Sequence, residues 1–250
     1  MELTSLAGKV ALITGASRRI GRATALKLAD CGADLVIHAK SSRAEAESVA
    51  DEVRSRGRRA LVHLADVTDE HAVTVMIDTI RQTFGRLDIL VNNASIRRHG
   101  PFQSMSLSEW REIISVVLDG AFLCSRAAIP LMIGGGGGVI VNIGGVSAHV
   151  GAMERAHVST AKAGLVGLTK ALAVEFAAAN IRVNCVAPGK IGGQRSATSG
   201  TGISPEDNQP LLGRMGEIDE AASMIAAMCL PLSGYMTGQT IHVSGGMYLP

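Results

Sequence analysis

A short β-branched run, Val10–Ile13, passes straight into Thr14-Gly15-Ala16-Ser17-Arg18-Arg19-Ile20-Gly21 and then into a helical stretch. This junction constrains the fold more than any other feature of the chain. Gly15 permits a tight turn after a strand, and Gly21 lets the helix lie close on a sheet. The helix N-terminus then offers unpaired amides to a pyrophosphate. Glycine spacing alone says little; the junction counts because a full series of strands and helices follows it. Strand-like runs occur at Val10–Ile13, Leu35–His38, Ala60–Leu64, Ile89–Val91, Val139–Ile143, Arg182–Val186 and Thr240–Val243. Helical stretches lie between them at Arg19–Asp30, Arg43–Arg56, Asp69–Thr83, Ser108–Leu131, His157–Ala178 and Ile218–Cys229. Such alternation forces parallel strands with right-handed crossovers. The expected fold is therefore α/β, a doubly wound, seven-stranded parallel sheet of Rossmann type.

Composition agrees. Of 250 residues 47% are hydrophobic and 29 are glycine, which suits one buried sheet with many tight turns. No composition shift or long linker divides the chain, so residues 1–250 are expected to form one dinucleotide-binding domain. A net charge of +2 gives no electrostatic case for a nucleic-acid or anionic-membrane partner. Arg54, Arg56, Arg58 and Arg59 read as a solvated helix end. No apolar run approaches the roughly 18 residues needed to span a bilayer, and Lys9 to Ile13 leads directly into the glycine turn without a signal-peptide pattern. Cys31, Cys124, Cys185 and Cys229 are far apart with no metal-type spacing, so free thiols, no metal and a cytoplasmic location are expected. Gly134–Gly138 lies too far from the first strand to be a phosphate loop and reads as a turn. Gly192–Pro210 is polar and reads as a mobile loop beside a ligand crevice.

Cofactor choice follows from charge. An NAD enzyme usually places a carboxylate at the end of the second strand to hold the ribose 2′-hydroxyl. That position here is Ala39, followed by Lys40, Ser41 and Ser42. No acid stands there to repel a 2′-phosphate, and Arg18, Arg19 and Lys40 are placed to attract one. NADP(H) is the expected cofactor, in preference to NAD(H).

Over essentially its full length the chain resembles the short-chain dehydrogenase/reductase family. The likeness rests on the Thr14–Gly21 turn, Asp66 in Leu64-Ala65-Asp66-Val67, Asn92-Asn93-Ala94-Ser95 and Pro188-Gly189. Leu212-Gly213-Arg214, Thr237-Gly238-Gln239 and Ser244-Gly245-Gly246 complete it. Gly15, Ser17, Arg18, Arg19, Ile20, Gly21, Lys40 and Ser41 are the cofactor-binding residues expected from the turn and from charge; the resemblance adds others. By it Asp66 and Val67 flank the adenine, Asn92 and Ala94 the adenosine ribose side, and Pro188, Gly189 and Ile191 the nicotinamide. Arg19 stands where the family usually has glycine. Arg18-Arg19 together with Asn-Asn-Ala-Ser is locally similar to the pteridine-reductase branch.

In the family a tyrosine exchanges the substrate proton while nicotinamide moves the hydride. A lysine one helical turn later lowers the phenol's pKa. A serine bonds the substrate oxygen, and an asparagine supports a proton-relay water. Lys162 fills the lysine place and would bond the nicotinamide ribose, but the tyrosine place is Val158, the serine place Gly145 and the asparagine place Val117. Substitutes are sought on the loop from Ser147 to Arg155, where Ser147, His149 and Arg155 would reach a substrate. Arg97, Arg98 and His99 lie at the same mouth, as solvated cations or as holders of an anionic substrate. Three readings stay open. One is an NADP-dependent oxidoreductase acting on a small carbonyl or imine with an atypical proton donor. The others are a catalytically silent nucleotide binder and nonredox chemistry in the same pocket. The resemblance also implies a homotetramer built on Ser108–Leu131 and His157–Ala178.

Overall fold

Strand β1 (Val10–Ile13) is buried at every position. Its alternate residues feed two cores, Ala11 and Ile13 on one face and Val10 and Leu12 on the other. Burial on both faces explains why this run is apolar throughout rather than alternating. The computed structural model describes residues 3–193 and 209–250. After β1 come α1 (Arg19–Asp30), β2 (Asp34–Ala39), α2 (Arg43–Ser55), β3 (Ala60–Leu64), α3 (Glu70–Phe84) and β4 (Ile89–Asn92). Next are α4 (Leu107–Ile114), α5 (Gly120–Gly134), β5 (Gly138–Ile143), α6 (Ser147–Val150), α7 (Ala156–Glu175), β6 (Ile181–Pro188), α8 (Ile218–Cys229) and β7 (Thr240–Val243).

All seven strands pair in parallel in the order β3-β2-β1-β4-β5-β6-β7. The order reverses between β1 and β4, so the loops leaving these two strands diverge and open a crevice at the carboxyl edge of the sheet. Leu28, Leu35, Ile37, Val49 and Ile225 pack on the face carrying α1, α2 and α8. Met76, Ile80, Leu90, Met132 and Val183 pack on the other. The doubly wound sheet is as expected.

Several boundaries differ from expectation for local reasons. Asp69 caps α3 instead of starting it, its carboxylate accepting from the Ala72 amide, and Gly85 ends that helix in the left-handed region at φ +75°. The helix expected over Ser108–Leu131 runs from Leu107 to Gly134 and is broken by a π-helical turn, Ser115–Asp119. It starts at Ser106, whose hydroxyl and Glu109 form a reciprocal capping box. Counted through the π-helical turn, this helix is by length and composition apolar enough to cross a membrane, contrary to the reading that no such run exists. Its Cys124, Ala128, Ile129 and Met132 are instead spent on the core beside the sheet. The arginine run is a solvated face, as expected: Arg54 pairs with Asp51 and Arg56 with Asp30, while Arg59 stacks on Phe84 at 4.4 Å. All four cysteines are free, and Cys124, Cys185 and Cys229 are buried. No cluster of metal-ligating side chains occurs among the described residues. Residues 194–208, most of the segment expected to border the crevice, lie outside the described residues.

Candidate active site

The crevice is built on β1 and β4. The Thr14 hydroxyl accepts from the amides of Asn93 (3.0 Å) and Ala94 (2.9 Å), and Asn93 Nδ2 donates to the carbonyls of Thr14 (2.8 Å) and Gly15 (2.9 Å). His38, buried near the end of β2, accepts from the Gly15 amide through Nδ1 at 3.1 Å, and its Nε2 donates to the Ala65 carbonyl at 2.9 Å. Burial pushes this imidazole down to about 4, so it is neutral at physiological pH and can serve as that acceptor. Gly15 adopts φ +64°, and α1 begins with no capping side chain and no acid in its first turn. That leaves amide donors and the positive end of the helix dipole facing the crevice, which suits a pyrophosphate. A Cβ at Gly21 would lie 2.4 Å from the Gly15 carbonyl oxygen, a backbone clash with no flexible side chain to yield. Gly21→Ala is therefore expected to cost about 1–3 kcal/mol and weaken nucleotide binding together, measured by thermal melts with and without dinucleotide.

The cations expected around a 2′-phosphate separate into two groups. Arg18 contacts Glu45 (2.5 Å) and Ser42 (3.0 Å), and Lys40 contacts Asp66 (2.6 Å), all at the exposed end of β2 beside Ser41. Arg19 does not join them: its guanidinium donates to the Gly192 carbonyl at 2.9 Å, on the loop after β6. Its backbone is left-handed, φ +49°, so this arginine holds the conformation that glycine adopts without strain.

Asp66 Oδ1 accepts from the amide (3.0 Å) and hydroxyl (2.8 Å) of Thr68, fixing the turn after β3. Val67 is buried, and a Cβ on Gly120 would meet its Cγ2 at 2.8 Å. Asn92 was expected at the ribose. Its side chain is buried, donating to Ser125 Oγ (3.0 Å) and Asn142 Oδ1 (2.8 Å), and Asn142 in turn donates to Thr169 (2.9 Å). This network ties β4 and β5 to α5 and α7, and Asn93 is the asparagine that shapes the crevice. Ala94 approaches Gly15: a Cβ there would stand 3.2 Å from Ala94 Cα. Past β6, the Pro188 carbonyl accepts from the Val146 amide at 3.0 Å, and a Cβ on Gly189 would come within 2.8 Å of Ser244 Cα. Ile191 is buried at the edge of the first core.

Lys162 sits in the second turn of α7, 4% exposed, and its ammonium donates to the Ile143 carbonyl at 2.5 Å. Burial, and after it the positive charge of Arg97, pushes it down to about 7. A Cβ added at Gly145 would lie 3.8 Å from Ser147 Oγ and 3.9 Å from Lys162 Cγ, so these three residues share one small space with room for a side chain. Val158 and Val117 are buried in one apolar cluster with Ile113, Ala121, Ala161 and Leu165. Val117 lies in the π-helical turn, a distortion found often at functional sites.

His149 is placed differently from expectation. The segment 147–155 starts with one helical turn, Ser147–Val150, and its histidine ring packs against His242 (4.5 Å between centroids) and Tyr248 (4.9 Å). Burial followed by the charge of Lys170 lowers its pKa, so it is a neutral member of a ring cluster at the C-terminal strand.

Residues 15–248 match a family model described as enoyl-(acyl carrier protein) reductase. The chain is 38% identical over 242 residues to the 3-oxoacyl-[acyl-carrier-protein] reductase FabG of Staphylococcus aureus strain N315, covering 96% of this chain and 98% of that protein. It is a short-chain dehydrogenase/reductase. A second 3-oxoacyl-[acyl-carrier-protein] reductase, from Synechocystis, is 39% identical over 248 residues, covering 99% of this chain and 100% of its own length. Among solved structures, a short-chain type dehydrogenase/reductase from Mycobacterium marinum superposes with a TM-score of 0.91 at 38% identity, covering 100% of this chain and 98% of that one. A gluconate 5-dehydrogenase from Burkholderia cenocepacia J2315, in complex with NADP and tartrate, gives 0.90 at 32% identity, covering 98% and 97%. Membership makes this chain an oxidoreductase by family. Within it, His38 and Asn93 were not singled out from sequence. His38 reads there as one more strand residue, and Asn93 is masked by the identical residue before it.

Proposed function

We propose that this chain is an NADP(H)-dependent reductase of a small carbonyl or imine compound, working with a reduced catalytic set in which Lys162 is kept and tyrosine, serine and asparagine are replaced by Val158, Gly145 and Val117. The observation that carries this reading is the placement of Lys162. Its ammonium is buried beside Gly145 and Ser147, and the position one turn before it on α7 is an apolar valine.

The crevice fits the cofactor. Its amide-lined helix start suits a pyrophosphate, and Ala39 at the end of β2 is buried and uncharged. Arg18 and Lys40 hold their carboxylate partners only in exposed pairs, which are worth about 0–1 kcal/mol and are easily exchanged for a phosphate. The gluconate 5-dehydrogenase structure contains NADP, which supports the same choice here. Arg18→Gln and Lys40→Gln are each expected to lower kcat/KM for NADPH by about tenfold and to change that for NADH by less than about twofold. A matched fall with both dinucleotides would remove the argument from the 2′-phosphate.

NADPH supplies a hydride when bound. The chain's part is to hold the acceptor and manage one proton. Ser147 Oγ offers a hydrogen bond to the substrate oxygen or nitrogen in place of a Gly145 side chain. Lys162, whose Cγ lies 3.9 Å from where a Cβ at Gly145 would stand, delivers the proton there. His149 is the weaker candidate, because its ring is engaged with His242 and Tyr248 and is neutral near pH 7. The local likeness to pteridine reductases adds pterin-type C=N compounds to the substrates worth trying, since an already protonated imine asks little of the enzyme. The test is NADPH oxidation across carbonyl, imine and pterin compounds, paired with direct measurement of NADPH binding. Saturable binding with no turnover anywhere would support a silent nucleotide binder.

Homo-oligomerisation, with a tetramer as the family expectation, is supported by exposed Phe122 and Ile133 on α5 and Val174 on α7. A cytoplasmic location is consistent with four free thiols.

A further inference from the structure

One side chain joins the two halves of the nucleotide crevice. His38 is next to last in β2 and 2% exposed, with the turn after β1 on one side and the turn after β3 on the other. Its Nδ1 accepts from the Gly15 amide at 3.1 Å, and its Nε2 lies 2.9 Å from the Ala65 carbonyl. The backbone repeats both links. The His38 carbonyl accepts from the Ala16 amide at 2.8 Å, and the Ala39 carbonyl accepts from the Ala65 amide at 3.1 Å.

These contacts leave the ring one arrangement of its proton. An amide only donates and a carbonyl only accepts, so Nδ1 is bare and Nε2 carries the hydrogen. An imidazolium, protonated on both nitrogens, would turn a second N–H against that of Gly15. Burial favours the same neutral ring and pushes it down to about 4. The Ala65 carbonyl opposes that shift, His63 across on β3 adds to it, and Asp66 opposes it.

Gly15 is thereby gripped on both sides. His38 takes its N–H, Asn93 Nδ2 donates to its carbonyl at 2.9 Å, and its φ is held at +64°. With the Gly15 and Ala16 amides both spent on His38, the donors for a pyrophosphate lie further along, at the start of α1. On the far side of the ring, Ala65 leads into Asp66, which is fixed by Thr68 and paired with Lys40.

We propose that His38 is a positioning residue for the dinucleotide, holding the pyrophosphate turn and the adenine loop at the separation that one NADP(H) molecule requires. It acts through Gly15 and Ala65 and takes no part in the reaction. The proposal rests on the assignment of these two loops to the cofactor and is independent of which substrate is reduced. Its effect belongs to ligands that span both loops. Subsites already set at the right distance bind a two-ended ligand without first being brought together, whereas a ligand seated in one subsite gains nothing.

The experiment titrates wild type, His38→Leu, His38→Asn and His38→Gln with NADPH, 2′-phospho-ADP-ribose and adenosine 2′-phosphate, by calorimetry, alongside thermal melts. His38→Leu removes both ring contacts. It is expected to raise Kd for NADPH and for 2′-phospho-ADP-ribose by about tenfold and for adenosine 2′-phosphate by less than about twofold. Asparagine carries an acceptor as far from the backbone as Nδ1, and glutamine a donor as far as Nε2, so each should recover part of the loss. A merely structural histidine would lower the melting temperature and weaken all three ligands alike, which overturns the proposal. Equal affinities across the four proteins overturn it too. A wild type that binds none of the three ligands removes the nucleotide site itself, and with it the role of His38.

Should His38→Leu fail to fold, the wild type decides by itself. Nitrogen NMR of the ring at pH 7 is expected to show the neutral form protonated on Nε2. Exchange of that proton with water should slow by about tenfold or more with 2′-phospho-ADP-ribose and by less than about twofold with adenosine 2′-phosphate. A ring protonated on Nδ1, or equal protection by the two ligands, overturns the assignment.

Discussion

Val158→Tyr combined with Gly145→Ser is expected to raise carbonyl reduction by roughly 10²–10⁴-fold, the usual contribution of a positioned proton donor. Lys162 stands one helical turn after position 158, where it would sit beside a phenol, and its charge would favour the phenolate. Position 145 has room, since an added Cβ meets nothing closer than Ser147 Oγ at 3.8 Å, so serine enters without moving backbone. Position 158 is tighter. Val158 is 3% exposed among Ile113, Ala121 and Leu165, and a tyrosine that failed to turn into the cleft would overpack this cluster at about 1–3 kcal/mol. Stability and rate must therefore be measured on the same preparations. A double variant that melts like the parent and shows no gain in kcat/KM on any ketone would mean that the cleft, or the assignment of these positions, is not what the geometry indicates. Adding Val117→Asn would place an amide inside the π-helical turn and should give a smaller further gain. Because positions 117 and 158 belong to one cluster, its effect is expected to depend on tyrosine being present.

How far the sequence predicted this site can be judged residue by residue. The sheet was legible because β1, β4, β5 and β6 are buried on both faces, so their apolar runs stand out against the polar turns. The glycine turn after β1 was legible because Gly15 and Gly21 are demanded by backbone geometry, which a sequence expresses directly. Side-chain direction was not. Arg18 and Arg19 look equivalent in a string of letters, but the left-handed turn at Arg19 sends its guanidinium to Gly192 while Arg18 remains with Ser42 and Glu45. Asn92 and Asn93 differ for a similar reason: successive residues at a strand end face opposite sides. One therefore enters the buried network and the other reaches the glycine loop. The surroundings of His149 were hidden because its ring partners, His242 on β7 and Tyr248 beyond it, lie far later in the chain. Arg155 was a candidate from sequence, but its burial is decided by tertiary contact with His99. The π-helical turn left no readable mark, since its hydrophobic pattern is that of an ordinary helix interrupted by one extra residue.

Lys162→Met is expected to abolish turnover while making the protein more stable at neutral pH, two effects of opposite sign from one side chain. The ammonium is pushed down to about 7 chiefly by burial, against an ordinary value of 10.5. Below pH 7 the lysine is charged in both folded and unfolded states, and the folded protein bears the whole cost of keeping that charge out of water. Between about pH 7 and 10.5 the unfolded chain still binds the proton and the folded one does not, so stability rises with pH through this window. At 1.36 kcal/mol per unit, the full window is worth up to about 5 kcal/mol. Methionine carries no such cost. The variant's advantage should be greatest below pH 7 and shrink steadily toward pH 10, as followed by denaturant melts at each pH. Catalysis moves the other way. If the protonated amine supplies the proton, kcat/KM of the wild type is full below pH 7 and falls about tenfold per unit above it, the profile reporting the free protein. A rate that stays flat from pH 6 to 9 would take the proton-donor role from Lys162 and leave it as a residue that holds the nucleotide. A methionine variant whose stability difference does not change with pH would show instead that the ammonium is compensated in the folded state.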